Sequence, residues 1–205
     1  MVVTATSIGR AQRKWMITRP HDARFVRYLR KALVVLSIAS CAALEAQTIP
    51  ILVYHRFDPA SSGPTTVRTS VFESQLAWLE EHHYRVISLH TALDALRKPE
   101  TTGEPSVVIT VDDGHRSVYT EMFPLILKQR IPVTLFIYPS AISNASYALT
   151  WEQIRTMEKS GLVEVESHTY WHPNFDKERV RLGTAQYEAF VAVQLERSKQ
   201  VLGVC

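Results

Sequence analysis

From residue 49 onward, short apolar runs alternate with stretches that are apolar at every third or fourth position. IPILVYH at 49–55 is rich in β-formers and almost wholly apolar, which predicts a strand buried on both faces, as in a parallel sheet. Residues 56–69 are dense in Ser, Thr, Pro and Gly and read as a loop. Ser70-Val71-Phe72-Glu73 has the spacing of a capping box, and Phe72, Leu76 and Leu79 then fall on one face of the helix it would open. RVISL (85–89), SVVITV (106–111), PVTLFI (132–137) and LVEVES (162–167) predict four further strands.

Helices are expected between and after them. One is near 90–97 and another near 116–129, bent or restarted at Pro124. A third opens on the capping box Thr150–Gln153 and stops at Gly161, and the last runs from about 178 to 202. Strand and helix in regular alternation define an α/β chain with a parallel sheet or barrel. In such folds chemistry collects at the carboxyl ends of the strands. His55, Asp112, Asp113 and His168 all stand at predicted strand ends, so residues far apart in sequence are expected to meet at one rim.

Composition sets the bounds. With 205 residues, 46% hydrophobic and 21% charged, the chain has the balance of one globular domain with a sizeable core. The net charge of +3 conceals a division: residues 1–31 hold eight basic side chains and one acid, a charge of +7, which leaves −4 for the rest. A mildly acidic body without a basic stripe argues against nucleic acid as a partner. The basic segment precedes ALVVLSIASCAAL at 32–44, an apolar run too short for a comfortable span of ~20 residues. Together they read as a secretory signal over 1–46, with Met16 an alternative start and an uncleaved N-terminal anchor the competing reading. Two cleavage patterns are open. Ile38-Ala39-Ser40-Cys41 resembles a lipobox that would lipidate Cys41, and Leu44-Glu45-Ala46 suits ordinary signal peptidase. Both export residues 47–205, and membrane contact is expected only through the signal or lipid. Cys205 is the only other cysteine, so no disulfide framework is expected.

Asp113, His168 and His172 offer two imidazoles and a carboxylate, a common donor set for a catalytic zinc with an open position. Asp112, beside a proposed ligand, is placed to take a proton from a water activated there. Gly114 permits a sharp turn and a close approach to substrate. Each motif alone has an ordinary reading: Asp-Asp-Gly is a frequent solvated turn, and His-x-x-x-His is a weak metal signal. Tyr170 and Trp171 are either core aromatics or a wall for a sugar ring, and His55 is either a satisfied core histidine or a rim group. His82 and His83 read as surface residues, while His90 and His115 have no evident task. No Gly-x-Ser-x-Gly occurs, which argues against a serine hydrolase.

Thr110-Val111-Asp112-Asp113-Gly114 resembles the Thr-Phe-Asp-Asp-Gly motif of the polysaccharide deacetylase family, the NodB-like carbohydrate esterases, with Val for Phe. His168-Thr169-Tyr170-Trp171-His172 resembles that family's second motif. Val53-Tyr54-His55-Arg56-Phe57, Pro132–Ile137 and the stretch from Trp151 to Gly161 resemble the family's first strand and the segments flanking those motifs. The resemblance spans about 50–202. It implies a (β/α) deacetylase barrel with parallel strands, with Asp112 as general base and Asp113, His168 and His172 as ligands of zinc or another divalent metal. His55, Tyr170 and Trp171 are expected near the substrate. The implied reaction is hydrolysis of N-acetyl groups, a non-peptide C–N bond, on an N-acetylated polysaccharide outside the cytoplasm. The lipobox and first strand lean toward the poly-N-acetylglucosamine branch over peptidoglycan or chitin.

The family's later motifs supply an oxyanion donor, a Trp-bearing pocket wall and a general acid, and no counterpart follows Ser198 here. The resemblance therefore implies a partial barrel, incomplete at the C-terminus with its final strands missing. Loss of an oxyanion donor costs ~10²–10³ in rate and of a general acid ~10²–10⁴. Two alternatives follow: an inactive sugar-binding remnant that keeps the metal, and a metal-dependent O-acetyl esterase.

Overall fold

β5 (Ser106–Asp112) is the strand around which the sheet is built, and all of it except Asp112 is buried. A computed structural model describes residues 48–97 and 105–203. β1 (Ile51–Tyr54) runs parallel to β5, pairing Ile51 with Val108 and Tyr54 with Val111. β6 (Val133–Ile137) pairs with the last residues of β5, and β7 (Val163–Ser167) pairs along the whole of β6, both in parallel. β4 (Arg85–Ile87) pairs with the first residues of β5. The architecture is the α/β class with a parallel sheet that the alternating pattern predicts.

Helices α1 (Thr69–Glu81), α2 (Leu89–Arg97), α3 (Phe123–Gln129), α4 (Trp151–Lys159), α5 (Phe175–Arg181) and α6 (Thr184–Leu202) separate and follow these strands. Phe72, Leu76 and Leu79 are the buried face of α1, as their spacing requires. Phe72 meets the rings of Tyr54 and Phe57 edge-on at 5.0 Å each. α4 carries the expected capping box, in which Thr150 Oγ1 accepts from Gln153 N and Gln153 Oε1 accepts from Thr150 N. Its chain then reverses through Gly161 at φ +70° into β7. No described helix is long and apolar enough to cross a membrane.

Several expectations are corrected. β1 is not buried on both faces: Ile51 and Val53, which share one face, are 50% and 54% exposed, so that face is left largely uncovered. Residues 56–69 are not simply a loop, since β2 (Arg56–Asp58) and β3 (Thr66–Arg68) form a small parallel pair within them. Ser70 does not cap α1. The helix starts a residue earlier, without a side-chain cap, and Thr69 Oγ1 instead donates to Glu121 Oε2 at 3.0 Å. The last helix is two helices, α5 and α6, because Leu182 is extended and Gly183 weakens helical continuity. Asn174 Oδ1 caps α5 by accepting from Lys177 N. At Pro124 the restart is as expected, with a π-helical turn over Val118–Met122 leading into α3. Phe123 N donates to Val118 O there.

The expected signal over 1–46, with Met16, Cys41 and the cleavage position at Ala46, lies outside the described residues, as does Cys205.

The α4 cap gives a direct test of the local reading. Thr150→Ala removes one half of the box and is expected to cost about 1 kcal/mol. Urea unfolding followed by circular dichroism should show a lower midpoint with an unchanged slope.

Candidate active site

Strand register brings the chemistry together. Tyr54 lies opposite Val111, so His55 follows at the level of Asp112. Asp112 lies opposite Phe136, and Ile137 lies opposite Ser167, so His168 emerges at the same rim. His168 N donates to Ile137 O at 2.8 Å and carries the sheet pairing one residue beyond β7. The expectation of a shared rim for His55, Asp112, Asp113 and His168 matches this geometry.

Beyond β5 the backbone turns abruptly. Asp113 has φ +73° and Gly114 φ +69°, so two successive residues are left-handed. The turn swings the Asp113 carboxylate toward the end of β7. Its Oδ1 lies 3.8 Å from Nε2 of His168 and 3.8 Å from Nε2 of His172. One donor atom from each of the three residues falls within 4.8 Å of the others. These separations are too long for hydrogen bonds. Donors ~2.1 Å from a tetrahedral ion sit ~3.4 Å apart, so each Asp113–histidine separation is within about half an ångström of that spacing. Two imidazoles and one carboxylate facing one another without mutual hydrogen bonds fit a divalent metal.

The loop bearing the histidines is held from two directions. Thr169 and His172 both have positive φ, +68° and +57°, which the β-branched Thr169 in particular does not favour. Thr169 Oγ1 accepts from His172 N, and Ser167 Oγ accepts from Thr169 N. Ser167 Oγ donates in turn to Ser198 Oγ on α6 at 2.8 Å, and Gln194 Oε1 of α6 accepts from Trp171 N. Ser198 and Gln194 are among the few buried polar side chains of the described protein. They fix the loop that carries His168 and His172. A buried Ser and Gln on one helical face, four residues apart, were the available sequence signal.

Asp112 has its carboxyl pushed above the usual range, first by burial and also by the neighbouring Asp113 charge, while His168, His55 and His172 oppose the shift. His168 is pushed below the usual imidazole value, chiefly by burial. The site thus favours a neutral, ligand-ready His168 and a carboxylate with a strengthened affinity for protons.

Other expected site residues are placed as follows. Arg197 of α6 lies 3.9 Å over the Tyr170 ring, which gives that aromatic a packing role. Trp171 meets Phe190 edge-on at 6.1 Å and keeps an exposed face. His82 stacks on Trp78 at the surface, and His90 lies 3.4 Å from Asp94. His115, without a task in the sequence, shares a hydrogen bond of 2.8 Å with Ser117 Oγ, which accepts from Phe57 N. Sequence reasoning missed Tyr138 and Tyr147. Their hydroxyls are 2.9 Å apart, and the Tyr138 ring lies 5.3 Å from that of His172.

A family profile described as polysaccharide deacetylase matches residues 99–204, just over half of the chain. The chain belongs to the polysaccharide deacetylase family, as its two motifs imply. Among curated relatives, the poly-beta-1,6-N-acetyl-D-glucosamine N-deacetylase of Escherichia coli (strain K12) is 32% identical over 124 residues, 54% of this chain and 18% of that protein. The protein of the same name from Staphylococcus aureus (strain MRSA252) is 28% identical over 141 residues, 67% of this chain and 48% of that protein. The chain thus spans less than half the length of these relatives. Of solved structures, IcaB from Ammonifex degensii aligns with a TM-score of 0.63 at 28% identity, covering 77% of this chain and 72% of that one. The Streptococcus pyogenes deacetylase PplD, solved with acetate, aligns at 0.64 and 22% identity over 75% of this chain and 67% of that one, which speaks for the fold alone.

Gly114 tests the turn. A Cβ there would lie 2.9 Å from Ile137 Cγ2 and 3.1 Å from Ile142 Cδ1, at a φ of +69°. Gly114→Ala is expected to destabilise by more than the ~1 kcal/mol of the dihedral alone and to weaken metal binding. Thermal melting and metal titration of the same sample would read both effects.

Proposed function

We propose that this chain carries the metal- and substrate-holding part of an exported, metal-dependent N-deacetylase acting on an N-acetylated polysaccharide, with residues 47–205 as its deacetylase domain. The Escherichia coli and Staphylococcus aureus relatives are named for poly-β-1,6-N-acetylglucosamine, which serves as the uncharged reference polymer for activity. One observation carries the reading: Asp113, His168 and His172 converge at the rim where Asp112 stands as an unligated neighbour. Export is supported by the basic, then apolar, pattern of residues 1–44, with Cys41 as the lipidation position if the lipobox is used.

Asp113, His168 and His172 would hold zinc or a similar divalent ion, which supplies Lewis-acid polarisation to the acetamide carbonyl and to the attacking water. Asp112 receives the proton of that water as the C–O bond forms. Burial strengthens its hold on the proton, which is then available to the departing amine nitrogen as the C–N bond breaks. The products are acetate and a free amino sugar. His55 flanks Asp112 on the β1 side, and the exposed face of Trp171 offers a stacking surface for a sugar ring.

Asp112→Asn is expected to lower kcat/KM for acetate release from N-acetylglucosamine oligomers by ~10²–10⁴ while leaving metal affinity close to wild type. The His168→Ala/His172→Ala double variant should lose the metal itself. Tight metal binding with no acetate release from N-acetylated or O-acetylated oligomers would overturn the catalytic reading in favour of a sugar-binding protein.

Metal affinity should also report the burial of His168. Its depressed basicity keeps the neutral imidazole available as pH falls to the ordinary value of ~6.5, where a solvated histidine is already half protonated. In calorimetric zinc titrations at falling pH, the loss of affinity due to His168 protonation is expected at a lower pH than for a solvated imidazole.

A further inference from the structure

A second polar feature stands beside Asp112, on the side away from the histidines. At the carboxyl end of β1 an open cleft of about 420 Å³ is lined by His55, Arg56, Ser62, Thr65 and Arg68, among others. Its volume is within the ~300–1,000 Å³ of small-ligand sites. The walls are fixed by backbone hydrogen bonds: Arg56 N donates to Thr65 O at 3.1 Å, and Gly63 and Thr66 exchange bonds of 2.9 and 3.2 Å. β2 and β3 hold both arginines, and their register places Arg68 opposite Asp58.

The charges in this cleft are unbalanced. No Asp or Glu lines it. Among the described residues neither Arg56 nor Arg68 has a carboxylate within ion-pair distance. Asp58, the obvious partner, accepts instead from Ala60 N and Ser61 N at 2.8 and 2.7 Å. Both arginines therefore line the cleft beside a histidine and the hydroxyl-bearing Ser62, Thr65 and Thr66, with no internal anion. The cleft is continuous with the reaction rim. His55 lines it and also bears on the Asp112 carboxyl, and the Arg56 charge is felt at His115 and Tyr138.

We propose that this cleft is a subsite for a carboxylate carried on the polymer next to the N-acetylated sugar, so that the substrate is an acidic N-acetylated polysaccharide. The inference rests on the deacetylase reading for the sugar beside it. Guanidinium is the group suited to a carboxylate, through paired N–H donors in one plane. Ser62 and Thr65 add hydroxyl-bearing positions for the sugar that carries the acid.

The test uses the full chain loaded with zinc and two N-acetylated oligosaccharides, one with a free carboxylate and one with the same group as its methyl ester. Calorimetry at low salt is expected to show the acid bound about 10-fold more tightly, with the difference shrinking as salt is raised. Arg68→Gln should remove about 5-fold of that preference, and Arg68→Glu should reverse it. Thermal melts of both variants control for folding, since Arg68 is exposed. Equal affinity for acid and ester, or a preference untouched by either substitution, overturns the subsite. So does free acetate or phosphate binding as tightly as the acidic oligosaccharide, which would mark a small-anion site only. Acetate release followed on the same samples separates the two readings. Release from both ligands without acid preference sinks the subsite alone, and acid preference without release sinks the deacetylase reading alone.

Discussion

Everything at the rim depends on β5 being held in one register. Ser106 through Val111 are buried, and β1, β4 and β6 all pair with this strand. A one-residue slip of this strand would draw the Asp112 carboxylate into the core or pull Val111 out of it, and would exchange side chains between two packed faces. Its last residue, Asp112, is therefore delivered to a fixed height. The two left-handed residues that follow then set the direction of the Asp113 carboxylate. Buried aliphatic side chains such as Ile109 and Leu135, each worth ~1.5–3 kcal/mol of transfer free energy, offset the cost of placing two carboxylates side by side.

The second half of the site is positioned by different means. β7 is half-buried, with Glu164 and Glu166 exposed, so the sheet alone holds it less firmly. The histidine loop gains its fixity from α6, through Gln194 and Ser198, and from the Tyr138 ring packed beside His172. The positive φ of the β-branched Thr169 shows that the loop is bent there against its own backbone preference. A hydrogen-bond network that spans two elements can sustain such a conformation where a free loop would relax.

The sequence disclosed what depends on local pattern. Apolar runs located all five strands of the main sheet, and the polar residues that ended three of those runs, His55, Asp112 with Asp113, and His168, marked the rim. What it withheld depends on partners. Whether Ile51 and Val53 are buried is decided by what packs on their face of the sheet, and no residue within β1 encodes that. The Ser70 box failed because Thr69 found Glu121, 52 residues away. The break at Gly183 was visible in composition, but a long run of helix formers on either side concealed it. The arginine cleft could not be read at all, because Arg56 and Arg68 become neighbours only when β2 and β3 pair.

The bracing of the histidine loop by α6 ties two distant parts of the sequence to one cluster. Asp113 is set by contacts of β5 with β1, β4 and β6, all of which precede the histidines in the chain. The histidine loop is set by Gln194 and Ser198, 23 and 31 residues after the groups they bind. By linkage, an ion held between Asp113, His168 and His172 would also favour α6 docked on that loop, and undocking the helix would weaken the hold on the ion.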